Sequence, residues 1–90
     1  MAILVKFSVS GATVEKYEAV LRRLEAAGAG IPPGQLYHVS YGSRENLQVI
    51  DVFDSQQSLD SFAKTLLPIL DEMGIKAQPE IQEAYKIIKG

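Results

Sequence analysis

Residues 35–53 read QLYHVSYGSRENLQVIDVF. Two runs rich in aromatic and β-branched residues, Gln35–Tyr41 and Leu47–Phe53, flank Gly42–Asn46, whose Gly, Ser and Asn are turn formers. The stretch reads as a β-hairpin. A four-residue loop at Ser43–Asn46 sets His38 opposite Asp51, Leu36 opposite Phe53 and Ser40 opposite Val49 on one face. The other face then carries Tyr37 opposite Val52 and Val39 opposite Ile50, an almost wholly apolar pair of rows. A slip of one residue would set His38 against an isoleucine and mix the two faces.

Upstream, Ile3, Val5, Phe7 and Val9 alternate with Leu4, Lys6 and Ser8, so residues 2–9 predict a strand. Ser10-Gly11 breaks it, and Thr13 stands where a helix N-cap belongs. Val14, Tyr17, Val20, Leu21 and Leu24 then recur at helical spacing, with Glu15, Lys16, Glu18, Arg22, Arg23 and Glu25 as the wet face. Gly28 ends that helix, and Gly28–Gly34 is a loop. Downstream, Asp54 or Ser55 caps a second helix, Asp54 and Gln57 having the spacing of a capping box. Its buried stripe is Leu59, Phe62, Leu66, Ile69 or Leu70, and Met73, and Gly74 ends it. Pro68 inside the helix predicts a kink or break, since its ring meets the carbonyl of Lys64. Residues 79–88 read as a last strand that starts at Pro79, with Ile81, Tyr85 and Ile87 on one side.

The order is β-α-β-β-α-β over residues 1–90, read as a single domain. This is an α+β, ferredoxin-like pattern, a four-stranded antiparallel sheet with two helices on one face. Two helices cover one side of such a sheet and leave the other bare. A bare side in water should be polar, yet both parities of the second and third strands carry apolar residues. The reading is therefore a homodimer in which two sheets stack face to face through Tyr37, Val39, Ile50 and Val52. A chain of 90 residues buries only roughly 60–65% of its unfolded surface, which makes self-association a natural reinforcement.

Composition removes several function classes. Without cysteine and with one histidine, a Cys- or His-based structural metal site is out. Nine basic against eleven acidic residues and a pI near 5.3 argue against nucleic acid held by phosphate contacts. The apolar runs are far short of the ~20 residues that span a bilayer, and MAILVKF does not read as a secretion signal, so a cytoplasmic location without membrane contact is expected. The glycines of AGAGIPPG neither follow a strand nor open a helix in dinucleotide-binding order.

The segments PPGQLYHV (32–39), VIDVFDSQQSLDSF (49–62) and TLLPILDEMGI (65–75) resemble the dimeric α/β-barrel superfamily. That group includes antibiotic-biosynthesis monooxygenase-like and stress-responsive barrel proteins. The resemblance spans nearly the whole chain and implies the fold and a homodimeric barrel. For activity it implies only a range: oxygenases, isomerases, haem-binding enzymes and members without an assigned reaction. The Asn/Trp/His pocket of haem-degrading and cofactor-free oxygenase members is not reproduced. The chain has no Trp, and Asn46 falls in the turn.

Histidine is the side-chain type that gains and loses a proton near neutral pH, which makes His38 the first catalytic candidate, with Asp51 as its cross-strand partner. An aspartate beside a histidine fixes its tautomer and suits it to act as a general base. The bland alternative is that each group satisfies the other in a partly buried sheet. Tyr17 and Ser40 are the candidate ligand contacts: Tyr17 on the helix face turned to the sheet, Ser40 two residues beyond His38. Lys6 is expected either to snorkel to the rim or to pair with a carboxylate such as Glu83 on the last strand. No cofactor or metal is expected. Three functions stay open: a homodimeric small-molecule-binding protein; a cofactor-independent monooxygenase, isomerase or cyclase with His38 as base; and a non-catalytic assembly module.

Overall fold

The computed structural model describes residues 2–88. Alternation and caps produce six elements in the expected order: β1 (Ile3–Ser10), α1 (Val14–Ala26), β2 (Gln35–Ser43), β3 (Asn46–Phe53), α2 (Gln56–Glu72) and β4 (Lys76–Glu83). The strands make one antiparallel sheet in the order β2-β3-β1-β4, the ferredoxin-like layout.

Local chemistry sets the helix ends. Thr13 Oγ1 accepts from the Lys16 N–H at 3.2 Å, and Ser55, not Asp54, caps α2 by accepting from the Ser58 N–H at 3.1 Å. Both helices stop in the same way. Gly28 and Gly74 take positive φ, and the next residues, Ala29 and Ile75, donate back to Leu24 and Leu70. These are Schellman endings, a conformation that favours glycine. The break expected at Pro68 does not occur, and α2 runs through it. Pro68 and Lys64 are both exposed, so water can take the carbonyl that the proline leaves without a donor.

Ile3, Val5 and Phe7 of β1 point at the helices and are buried with Phe53, while Lys6 and Ser8 on the other parity are exposed. Val20 and Leu24 of α1 and Leu59, Phe62, Leu66 and Ile69 of α2 close over them. Burial of each large apolar side chain contributes roughly 1.5–3 kcal/mol, so this layer holds the helices to the sheet. Leu4, Tyr37, Val39, Tyr41, Ile50 and Val52 fall by alternation on the opposite, open face, where Val39 keeps 51% of its surface exposed. Gln78, Glu80 and Gln82 of β4 give that face a polar border. Lys6 stands opposite Glu80; Glu83 faces Ile3 instead.

The hairpin keeps the expected register from Tyr37 to Ser43, with two refinements. Ser43 and Asn46 pair, so the loop is the two residues Arg44-Glu45 and not four. At the other end a bulge at Leu36 sets Gln35, not Leu36, opposite Phe53. Just before it, Gly34 has φ +84°, and a Cβ there would lie 2.4 Å from Ser58 Oγ and 2.5 Å from Asp54 Oδ1. Only glycine lets the chain pass this close to the start of α2. Where β3 leaves β1, the Gln48 amide bonds both the N–H and the C=O of Val9, at 2.8 and 2.9 Å, and prolongs the ladder with a side chain. The hairpin tip is tied to the entry of α1: the Val14 N–H donates to the Arg44 carbonyl at 2.9 Å and the Leu47 N–H to that of Ala12 at 2.7 Å.

The last strand is Lys76–Glu83, not residues 79–88. The ladder with β1 ends at the Ile3–Glu83 pair, with one more bond from the Ala84 N–H to the Ala2 carbonyl at 2.9 Å; beyond it Tyr85 and Ile88 stand in water and no packing holds them in a strand. Pro79 lies inside β4, opposite Phe7, tolerated because β4 is a sheet edge. Among the described residues no helix is long and apolar enough to cross a membrane.

Candidate functional site

Among the described residues, Asp51 is the one charged side chain buried in the core, at 2% exposure. Its position in β3 sets it between Val5 of β1 and His38 of β2, on the side facing the helices. An isolated carboxylate there would be costly. Two side chains of β2 satisfy it: His38 Nδ1 lies 2.5 Å from Asp51 Oδ1, and the Gln35 amide donates to the same oxygen at 3.1 Å. On its other edge, His38 Nε2 lies 2.7 Å from the Tyr17 hydroxyl, which α1 brings down from above. The two rings are within 10° of parallel, with centroids 6.2 Å apart.

The direction of each bond follows from what each group can donate. An ionised carboxylate only accepts, so the imidazole proton sits on Nδ1. Nε2 of the neutral ring is then an acceptor, and the Tyr17 O–H donates to it. The result is a relay: Tyr17 to His38 to Asp51, with Gln35 steadying the carboxylate from the far side. His38 is its wet point, with one third of its side chain exposed against 2% for Asp51.

Tyr17, His38 and Asp51 are among the residues that line a partly open cavity of about 70 Å³ between the sheet and the two helices. The rest of its wall is apolar, with Phe7, Val20, Leu24 and Phe62 among the lining residues. An aspartate-oriented imidazole in such surroundings can accept a proton and hold it as imidazolium beside a fixed negative charge. Among the described residues no three acidic or histidine side chains gather as a metal site.

The structure thus brings together three of the four residues singled out in the sequence. Ser40 sits on the same face of β2, opposite Val49, but is exposed and outside the relay. Tyr37 and Tyr41 are on the open face, and Tyr85, beyond β4, is 96% exposed. Gln35 went unnoticed. Period-2 counting places it with Tyr37 on the open face, and only the bulge at Leu36 turns it towards Asp51.

Among solved structures, the chain shares its fold with antibiotic-biosynthesis-monooxygenase-like proteins. SnoaB, a cofactor-independent oxygenase from Streptomyces nogalater, is 20% identical, with a TM-score of 0.61 over 99% of this chain and 96% of that one. Rv0793 from Mycobacterium tuberculosis is 13% identical, with a TM-score of 0.67 over 99% of this chain and 100% of that one. A Deinococcus radiodurans protein named after the antibiotic biosynthesis monooxygenases is 12% identical, with a TM-score of 0.66 over 99% and 97% of the two chains. No family model and no curated protein matches the sequence.

Proposed function

We infer that the chain is a cofactor-independent enzyme that binds a neutral, mainly apolar organic molecule between sheet and helices and takes an acidic proton from it. His38 is the base and Asp51 its partner. One observation carries this reading: a hydrogen-bonded carboxylate–imidazole pair belongs to the wall of a cavity that is otherwise apolar. Such a wall selects the apolar body of a ligand, and the pair set in it is the place for an acidic group. The proton ends on the imidazole, charge-balanced by Asp51, and the substrate keeps the electron pair as an enolate. Reaction of that enolate with dioxygen turns a methylene into a carbonyl and releases one water, which is monooxygenation. The likeness to SnoaB favours this outcome over return of the proton elsewhere, which would be isomerisation.

The assembly that fits this site is a homodimer. Stacking two open faces would take Val39 and Tyr37, 51% and 36% exposed in one chain, out of water and close an α/β barrel.

The test uses 2-indanone, a small neutral ketone with acidic α-protons, in D2O. The wild type should speed the loss of the α-proton NMR signal, and His38→Ala should return it to the buffer rate. Oxygen uptake with the same ketone under air marks the oxygenase. Exchange no faster than buffer in the wild type, or equally fast in His38→Ala, refutes the reading.

A further inference from the structure

Both nitrogens of His38 are already engaged: Nδ1 by Asp51 and Nε2 by the Tyr17 hydroxyl. An imidazole has no third acid–base position. A substrate in the cavity therefore meets no free lone pair on the ring. The phenolic oxygen of Tyr17 is different. It donates its one proton to Nε2 and keeps lone pairs of its own, and Tyr17 lines the cavity.

We propose that Tyr17 is the catalytic residue that touches the substrate, and that His38 acts through it. This rests on the proton-abstraction reading above and says which atom performs it. As the substrate C–H bond breaks, its proton passes to the Tyr17 oxygen while the tyrosine's own proton moves to His38 Nε2. Tyr17 is neutral before and after. The substrate becomes an enolate, and His38 becomes an imidazolium beside the Asp51 carboxylate, so proton and charge both balance. The hydroxyl then lies against the enolate and can donate a hydrogen bond to it. His38, one third exposed, gives the stored proton a route to water. The chemical class of substrate follows: a neutral carbon acid whose acidic C–H is flanked by a carbonyl, with an apolar body and no charged group, because the wall beyond the relay offers no partner for one.

The experiment compares α-proton exchange of 2-indanone in D2O for the wild type, Tyr17→Phe, His38→Ala and the double variant. Tyr17→Phe keeps the ring and its packing and removes only the hydroxyl. The expected result is a kcat at least about 100-fold lower, the ordinary scale for a lost proton-transfer group, with KM little changed. His38→Ala should fall similarly and the double variant little further, because groups that act as one unit are not additive. The outcome that overturns the proposal is a Tyr17→Phe rate equal to or above wild type while His38→Ala is inactive. In that case the phenol merely blocks Nε2 and His38 meets the substrate itself. If His38→Ala keeps the full rate, or the wild type is no faster than buffer, the underlying reading falls and this one with it.

Discussion

Truncating His38 to alanine tests the site through stability, with no substrate needed. The substitution removes the closest partner of Asp51, which lies 2% exposed and keeps only the Gln35 amide at 3.1 Å on the same oxygen. Breaking a fully buried charged pair costs about 3–5 kcal/mol, and losing one hydrogen bond to a charged group about 1.5–3. The lower range applies, because one third of the His38 side chain is exposed and water can enter where it stood. The expected loss is about 2 kcal/mol. At roughly 4–8 °C per kcal/mol for a domain of this size, the melting temperature should fall by about 8–16 °C. The assay is urea denaturation and a thermal melt at fixed protein concentration, followed by circular dichroism, with Asp51→Leu added to both backgrounds. His38→Ala should cost much less once Asp51 is gone, since no stranded carboxylate remains. A loss below about 0.5 kcal/mol, the usual effect of a plain surface substitution, would refute the dependence of Asp51 on His38.

Two further outcomes follow from the sheet. Val39→Asp sets a charge in the middle of the open apolar face, and light scattering should give the mass of one chain where the wild type gives two. A variant that stays dimeric would mean that the copies associate elsewhere. Gln35→Leu removes the amide that steadies Asp51, a loss of about 1.5 kcal/mol of charged hydrogen bonding, and should slow exchange about tenfold in kcat with KM held. An unchanged kcat would make Gln35 a bystander.

Much of this was legible because one register governs it. The alternation of His38, Ser40, Val49 and Asp51 against Tyr37, Val39, Ile50 and Val52 admits a single pairing in which neither face is mixed, and that pairing is found. What was not legible depends on departures from regular periods. The bulge at Leu36 reverses the side on which Gln35 falls, and nothing in its local sequence marks it. Pro79 looks like a strand start because a proline in a ladder is unusual. At the edge of a sheet it is harmless, and KAQPEIQE pairs with β1 despite its weak alternation. Tyr85, Ile87 and Ile88 read as a continuation, but Tyr85 and Ile88 stand in water, and a strand lasts only where its side chains pack against neighbours. The hydrogen bond between Tyr17 and His38 joins residues 21 positions apart on different elements, a distance no spacing rule covers.

The tie between the hairpin tip and the entry of α1 bears on how this chain tolerates change in length. Surface turns ordinarily absorb insertions at little cost. Arg44-Glu45 is a turn of that kind by sequence, yet its backbone holds the first turn of the helix that carries Tyr17, while the strands it joins carry His38 and Asp51. An added residue there would shift the phenol against the imidazole, even with every side chain of the relay retained. The loop at the opposite end of β2 has more latitude at Ile31, which is 92% exposed, before the chain narrows again at Gly34. Variation in length among chains built on this plan should therefore gather in the loop after α1, and the short hairpin turn should keep its count of two.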